Sequence, residues 1–214
     1  MAQRALATED KQARQAAILS AARDLFNEGD GGLPTASQVA AASGLAKGTV
    51  YLYFQTKEEI FANLLLEGWI PVMGAVESIF RATKGRRSDK IQAFIEGLVD
   101  HLDGHPELLR LDSLGPGVLE KNMTPEALRA YKLEFTGHLL QAGGCIDKAL
   151  HLEEGRGVQI LMRTYALARG LWQSAQHDEQ GLSVGVAPAL MLTPDAYLEE
   201  LREALTEYWR GALA

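Results

Sequence analysis

The chain has 214 residues, enough for one large domain or two small ones, and its 47% hydrophobic and 23% charged residues are an ordinary globular balance. Its one cysteine, Cys145, excludes an internal disulfide framework and fits a reducing cytoplasm. No apolar run approaches the length of a membrane span, MAQRALATEDKQARQ lacks the apolar core of a signal peptide, and a net charge of −7 leaves only modest sequence-independent attraction to a polyanion.

Almost every segment reads as helix. Thr8 is placed to cap a first helix with Glu9 and Asp10 in its opening turn. Ala13, Ala17, Ile18, Ala21, Ala22, Leu25 and Phe26 recur there at helical spacing, and Gly29 ends it. Two short helices and a longer one follow across 35–68, with a kink or break expected at Pro71. Thr83–Asp89 is a polar connection. Lys90–Leu102 is amphipathic, HPELLRL starts another helix behind Pro106, and SLGPGV is a break. Thr124-Pro125-Glu126 has cap, proline and acid in order and opens a helix to about Cys145. Glu153–His177 is long and mixed, Gln180–Leu192 is a loop, and Thr193-Pro194-Asp195 opens a last helix to about Arg210. No strand alternation and no internal repeat stand out. The expected fold is all-α: an N-terminal three-helix domain with a helix-turn-helix, then a larger helical bundle.

The stretch TASQVAAASGLAKGTVYLYFQTKEEIFANLLLEG, residues 35–68, is the most informative. Thr35 with Gln38, and Thr56 with Glu59, each form a T-x-x-Q/E capping box where a helix must start. Ala40 falls where two helices cross closely, and Gly44 falls in a turn that needs positive φ. Val50 packs the second helix onto the first, with Val39 and Leu45 completing a small core. Lys47, Thr49, Tyr51 and Tyr53 are left outward or along the edges. This is the layout of a helix-turn-helix DNA reader.

The segment GLAKGTVYLYFQTKEEIFANLL resembles the end of the DNA-binding domain of the TetR family of transcriptional regulators, through Lys47-Gly48-Thr49, Val50, Tyr51, Tyr53, Phe54 and Lys57-Glu58. The resemblance is specific over residues 8–68 and one of architecture beyond Gly68. It implies a backbone phosphate contact at Lys57 and a homodimer whose interface is formed by the last two helices. Ala46 and Leu52 depart from the family pattern, since a hydroxyl residue and an aromatic or polar base reader are frequent there.

The candidate DNA-binding residues are Thr35, Ser37, Lys47, Gly48, Thr49, Tyr51, Tyr53 and Lys57. A tyrosine hydroxyl can donate to a phosphate while its ring meets a thymine methyl, and Thr49 can meet a phosphate or a base edge. Lys57 lies in a first turn where the helix dipole disfavours a cation, a cost more easily understood beside a phosphate. Residues 1–68 carry six basic against eight acidic groups, so binding must depend on a local face with the carboxylates turned away.

Five histidines, His101, His105, His138, His151 and His177, have no metal-site spacing, and Cys145 has no evident activating base. No catalytic motif stands at a usable spacing, so no enzyme activity, cofactor or metal is expected. Gly157–Gln173 is apolar on more than one face. The last helix carries an aromatic stripe of Tyr197, Leu198, Leu201, Leu205, Tyr208 and Trp209, suited to a dimer interface or to closing the monomer core. Candidate effector-binding residues are Phe94, Leu98, His101, Leu109, Leu114, Tyr131, Phe135, His138, Met162, Tyr165 and Trp172, an apolar set with a few polar handles.

The sequence thus reads as a cytoplasmic, homodimeric regulator, most simply a repressor. Residues 1–54 form the DNA module, a connecting helix starts near 57, and 55–214 form the effector and dimerisation domain. Its partners are a roughly palindromic double-stranded operator and an unidentified apolar effector, with no membrane. The alternative is an all-α ligand-binding protein or enzyme in which the helix-turn-helix is only structural.

Overall fold

Short-range chemistry sets the first boundaries. The Thr35 hydroxyl accepts from the Gln38 N–H (3.3 Å) while the Gln38 side chain accepts from the Thr35 N–H (2.9 Å), a complete capping box. Gly44 follows with φ +69°, a conformation that only glycine adopts without steric cost. These features bound two seven-residue helices in the computed structural model of the protein, which describes residues 2–29, 31–82, 85–176 and 192–213, with side chains from Asp10 onward.

The helices are α1 (Ala2–Glu28), α2 (Ala36–Ala42), α3 (Lys47–Tyr53), α4 (Lys57–Arg81), α5 (Arg87–Gly104), α6 (Glu107–Ser113), α7 (Pro125–Leu150), α8 (Arg156–Gln176) and α9 (Tyr197–Ala212). A π-helical turn at Gly115–Leu119 and one α turn at Glu120–Asn122 precede α7, and a 3-10 turn at Pro194–Ala196 precedes α9. The described residues contain no strand, so the chain is all-α as its sequence indicates.

Several boundaries differ from expectation. Thr8 lies inside α1, which starts at Ala2, and so is not its cap. Pro71 does not break α4, which continues to Arg81. SLGPGV is no simple break, because Gly115–Leu119 closes a π turn. α7 continues five residues past Cys145 to Leu150. Thr193 precedes the 3-10 turn but makes no side-chain cap. His177 and residues 180–191 of the expected loop lie outside the described residues, as do Thr83 and Lys84 of the polar connection. α4 is also more apolar than the sequence reading allowed. By length and composition it could cross a membrane (mean hydropathy 1.3), but 61% of that window is buried inside the protein, as in a core helix.

The chain forms two compact units, Met1–Gly68 with Arg110–Glu134, and Trp69–Leu109 with Phe135–Ala214. In the first, α1 packs on α2 and α2 on α3. Ile18, Ala22, Phe26, Val39, Ala40, Val50, Ile60 and Phe61 form its core, the valine, isoleucine and phenylalanine side chains each contributing about 1.5–3 kcal/mol when fully buried. The Phe26 and Phe61 rings lie 5.9 Å apart. Arg110 sits over the Phe26 ring (4.4 Å) and donates to the Phe26 carbonyl (2.7 Å), satisfying a carbonyl in the last turn of α1.

In the second unit α9 packs against α8 and α5. Leu201, Leu205 and Trp209 are fully buried there. Trp209 stacks on Phe80 (6.1 Å) and packs on Phe94 (5.3 Å), and its indole N–H donates to the Thr164 hydroxyl (3.0 Å). Tyr197, Leu201, Leu205 and Trp209 of the last helix's stripe therefore close the core of their own unit, while Leu198 and Tyr208 stay half-buried. α7 and α8 cross at two glycines: a β-carbon on Gly157 would stand 2.2 Å from the Gly143 carbonyl oxygen. Beside the crossing, buried Asp147 accepts from the N–H groups of Gly155 (2.8 Å) and Gly157 (2.5 Å), capping α8 from the preceding helix.

Candidate nucleic-acid interface

The interface is built on α3. Val50 is buried and fixes which side of α3 faces the protein. At about 100° of rotation per residue, Gly48 and Leu52 each lie about 200° from Val50, on the outermost ridge. Leu52 is 84% exposed and Tyr51 44% exposed. Nothing lies within 4 Å of the position a β-carbon would take on Gly48, and its φ is not in the left-handed region. The fold itself therefore does not require glycine at position 48.

Five of the eight candidate DNA-binding residues, Thr35, Ser37, Lys47, Tyr51 and Lys57, meet around one surface depression of about 540 Å³. Thr35 and Ser37 come from the start of α2, Lys47 and Tyr51 from α3, and Lys57 from the start of α4. The Lys47 ammonium lies 5.9 Å from the centre of the Tyr51 ring, so the ring supports the charge that the depression presents. Gly48 and Thr49 stand outside the depression on α3, with Gly48 exposed and Thr49 half-buried; Tyr53 is also half-buried.

The sequence reading missed Ala36, Gln55, Thr56 and Glu58 in this lining. Their signal was position alone, between Thr35 and Ser37 or on either side of Lys57. Thr56 is also where the second capping box departs from expectation. Its hydroxyl accepts from the Glu59 N–H (3.2 Å), but the Glu59 carboxylate takes the Gln55 N–H (2.7 Å) and the Thr124 hydroxyl (3.1 Å). The Lys57 ammonium is 4.0 Å from the Glu58 carboxylate, so a protein charge already offsets part of the dipole cost of a cation there. Lys57 remains 37% exposed in its side chain, open to a second anion.

The candidate effector residues divide between the two units. Leu114 and Tyr131 belong to the first, and the other nine to the second. Burial, with the charges of Asp112 and Glu120, pushes the Tyr131 hydroxyl up to about 12. Phe94, Leu98 and Leu109 are buried, and Phe94 packs against both Phe80 and Trp209, which stack on each other. The rings of His101 and His105 lie 4.6 Å apart, and Tyr165 meets Trp69 edge-on at 5.5 Å. Phe135, His138 and Trp172 are half-buried, and Met162 is exposed.

Comparison with known proteins divides the chain in sequence near Gly68, so that Arg110–Glu134 of the first unit falls within the C-terminal match. A family model described as "Bacterial regulatory proteins, tetR family" matches residues 18–64, and one described as "Tetracyclin repressor-like, C-terminal domain" matches residues 68–214. The chain is 33% identical over 94 residues to the uncharacterized HTH-type transcriptional regulator YfiR of Bacillus subtilis (strain 168). That match takes in 44% of this chain and 43% of YfiR, less than half of either. Among solved structures, a Mesorhizobium loti MAFF303099 protein assigned to the TetR family of transcriptional regulators superposes with a TM-score of 0.62 at 20% identity, covering 94% of this chain and 96% of that one. NalD of Pseudomonas aeruginosa, the secondary repressor of the MexAB-OprM multidrug efflux pump, superposes with a TM-score of 0.56 at 20% identity, covering 94% and 97%. At these identities the structures speak for the fold.

Proposed function

The chain belongs to the TetR family of transcriptional regulators, and we propose that it acts as a homodimeric repressor whose α3 reads an operator and whose later helices bind a small apolar effector. Membership in a family of regulators removes the enzyme alternative that the sequence left open. The observation that carries the DNA assignment is the meeting of Thr35, Ser37, Lys47, Tyr51 and Lys57 from three helices around one exposed depression beside α3.

In this reading residues 1–54 are the DNA module and 55–214 the effector and dimerisation domain. Lys47 and Lys57 take phosphates, Ser37 and the Tyr51 hydroxyl donate to the same strand beside Thr35, whose own hydroxyl donates to Gln38 (2.8 Å), and Tyr53 and Thr49 reach toward the major groove. Gly48 lets the helix backbone approach the duplex. A dimer formed through α8 and α9 presents two α3 helices to half-sites about 34–36 Å apart. An apolar effector changes that separation, with a coupling of about 1–3 kcal/mol. The repressor role has its support in NalD, a repressor of the same fold.

The test is selection of bound duplexes from a random pool, followed by anisotropy titration of the selected site. A roughly palindromic consensus bound by two subunits is expected. A protein that enriches no sequence, or that footprints a single half-site as a stable monomer, refutes the proposal. Titrating effector into free and operator-bound dimer tests the coupling, since reciprocity requires operator DNA to weaken effector binding by the same factor.

A further inference from the structure

We propose that Leu52 is a specificity-determining residue of the interface, reading the C5 methyl of one thymine in each half-site; this rests on the DNA-reading role assigned above to α3. Leu52 is 84% exposed, and two of the five well-exposed large apolar side chains among the described residues, Tyr51 and Leu52, are adjacent on this seven-residue helix. A single exposed leucine on a protein surface is ordinary. The placement of this one is not: it shares the ridge opposite Val50 with Gly48, one helical turn earlier, where no side chain stands. A knob of four carbons thus follows a notch on the line of α3 that points most directly away from its own protein.

The chemistry of that knob limits what it can read. Leucine has no hydrogen-bonding atom, so it cannot recognise the donors and acceptors that identify guanine, cytosine or adenine in the major groove. The apolar feature on the base edges there is the thymine methyl. The polar members of the interface stand to the side: Lys47 and Tyr51 line the depression with Thr35, Ser37 and Lys57, where phosphates are to be held. Leu52 is continuous with that lining through Tyr51, so phosphates held in the depression bring a base edge to the ridge. The absence of a polar reader at position 52 then becomes selection for a methyl group.

The experiment replaces each thymine of the selected operator in turn by deoxyuridine, which removes only the methyl, and measures binding of the full chain and of Leu52→Ala. For the wild type, one position per half-site should weaken binding about fourfold, the weight of one buried methyl group. In Leu52→Ala that position should become insensitive to the exchange, while Thr49→Ala retains the sensitivity. Selective DNA binding with no deoxyuridine effect, or an effect that persists in Leu52→Ala, overturns the assignment of Leu52 and leaves the regulator reading standing. Failure to bind any sequence selectively overturns both.

Discussion

Gly48→Ala separates what the fold needs from what DNA needs. Gly48 lies in the first turn of α3 with ordinary helical backbone, and no atom stands within 4 Å of the position its β-carbon would take. Replacing a helical glycine by alanine recovers about 0.5–1 kcal/mol, mostly conformational entropy of the unfolded chain. A first-turn position belongs at the lower end of that range. For a chain of this length about 0.5 kcal/mol raises Tm by about 1–2 °C. The DNA side has the opposite sign. If the duplex backbone approaches α3 at the notch, a methyl group there overpacks the contact at about 1–3 kcal/mol, or about 5- to 150-fold per half-site. Thermal unfolding without DNA and anisotropy titration with the selected operator measure the two effects on one preparation. A variant that is more stable and binds DNA less well is expected. Unchanged affinity would show that the duplex does not approach Gly48, and a lowered Tm would refute the open space above it.

Gly44→Ala should have the reverse stability effect despite equally open surroundings, a loss of about 1–2 kcal/mol, because φ +69° is strained for any side chain; urea unfolding checks it, and a neutral result would mean that the turn relaxes. Lys57→Ala should weaken binding to all duplexes alike and lower the slope of log K against log salt by about one per subunit, while an unchanged slope places the phosphate elsewhere. Asp147→Ala should cost about 2–4 kcal/mol, since the N–H groups of Gly155 and Gly157 lose a charged acceptor at a tight helix crossing; a loss below about 1 kcal/mol in urea unfolding would show that water replaces the carboxylate.

What the sequence made legible was local. Thr35 and Gln38 meet across one turn, and the positive φ at Gly44 follows from the two helices it joins, so four-residue reasoning reached both. The second capping box shows where that reach ends. Thr56 caps α4 as its spacing requires, but Glu59 turns to Gln55 and to Thr124, a partner 65 residues away that no local pattern contains. The aromatic stripe of α9 was visible as a stripe, but periodicity does not say what covers it; Trp209, Leu201 and Leu205 close their own unit against neighbours that include Phe80 and Phe94. The effector candidates suffered likewise. Buried and aromatic describes a cavity lining and a packed core equally well, and Phe94 has the contacts of core.

The charge balance shows how placement answers an objection raised by composition. Residues 1–68 are net acidic, yet their carboxylates are not equally available to repel a duplex. Glu59 is buried under two donated hydrogen bonds, and Glu67 is paired with Arg23 at 2.6 Å. In the depression beside α3, two lysines stand against one carboxylate, Glu58, which is itself buried and held 4.0 Å from Lys57. A phosphate seated there therefore meets a small local excess of positive charge, within a Debye length of about 8 Å at physiological salt. Farther out it meets no general attraction, because the chain as a whole carries −7. The affinity of such a reader has to come from fitted contacts more than from field. With α3 as the proposed reader and little long-range attraction, close approach at the Gly48 notch and apolar contact at the Leu52 knob would carry a larger share of the discrimination among sequences.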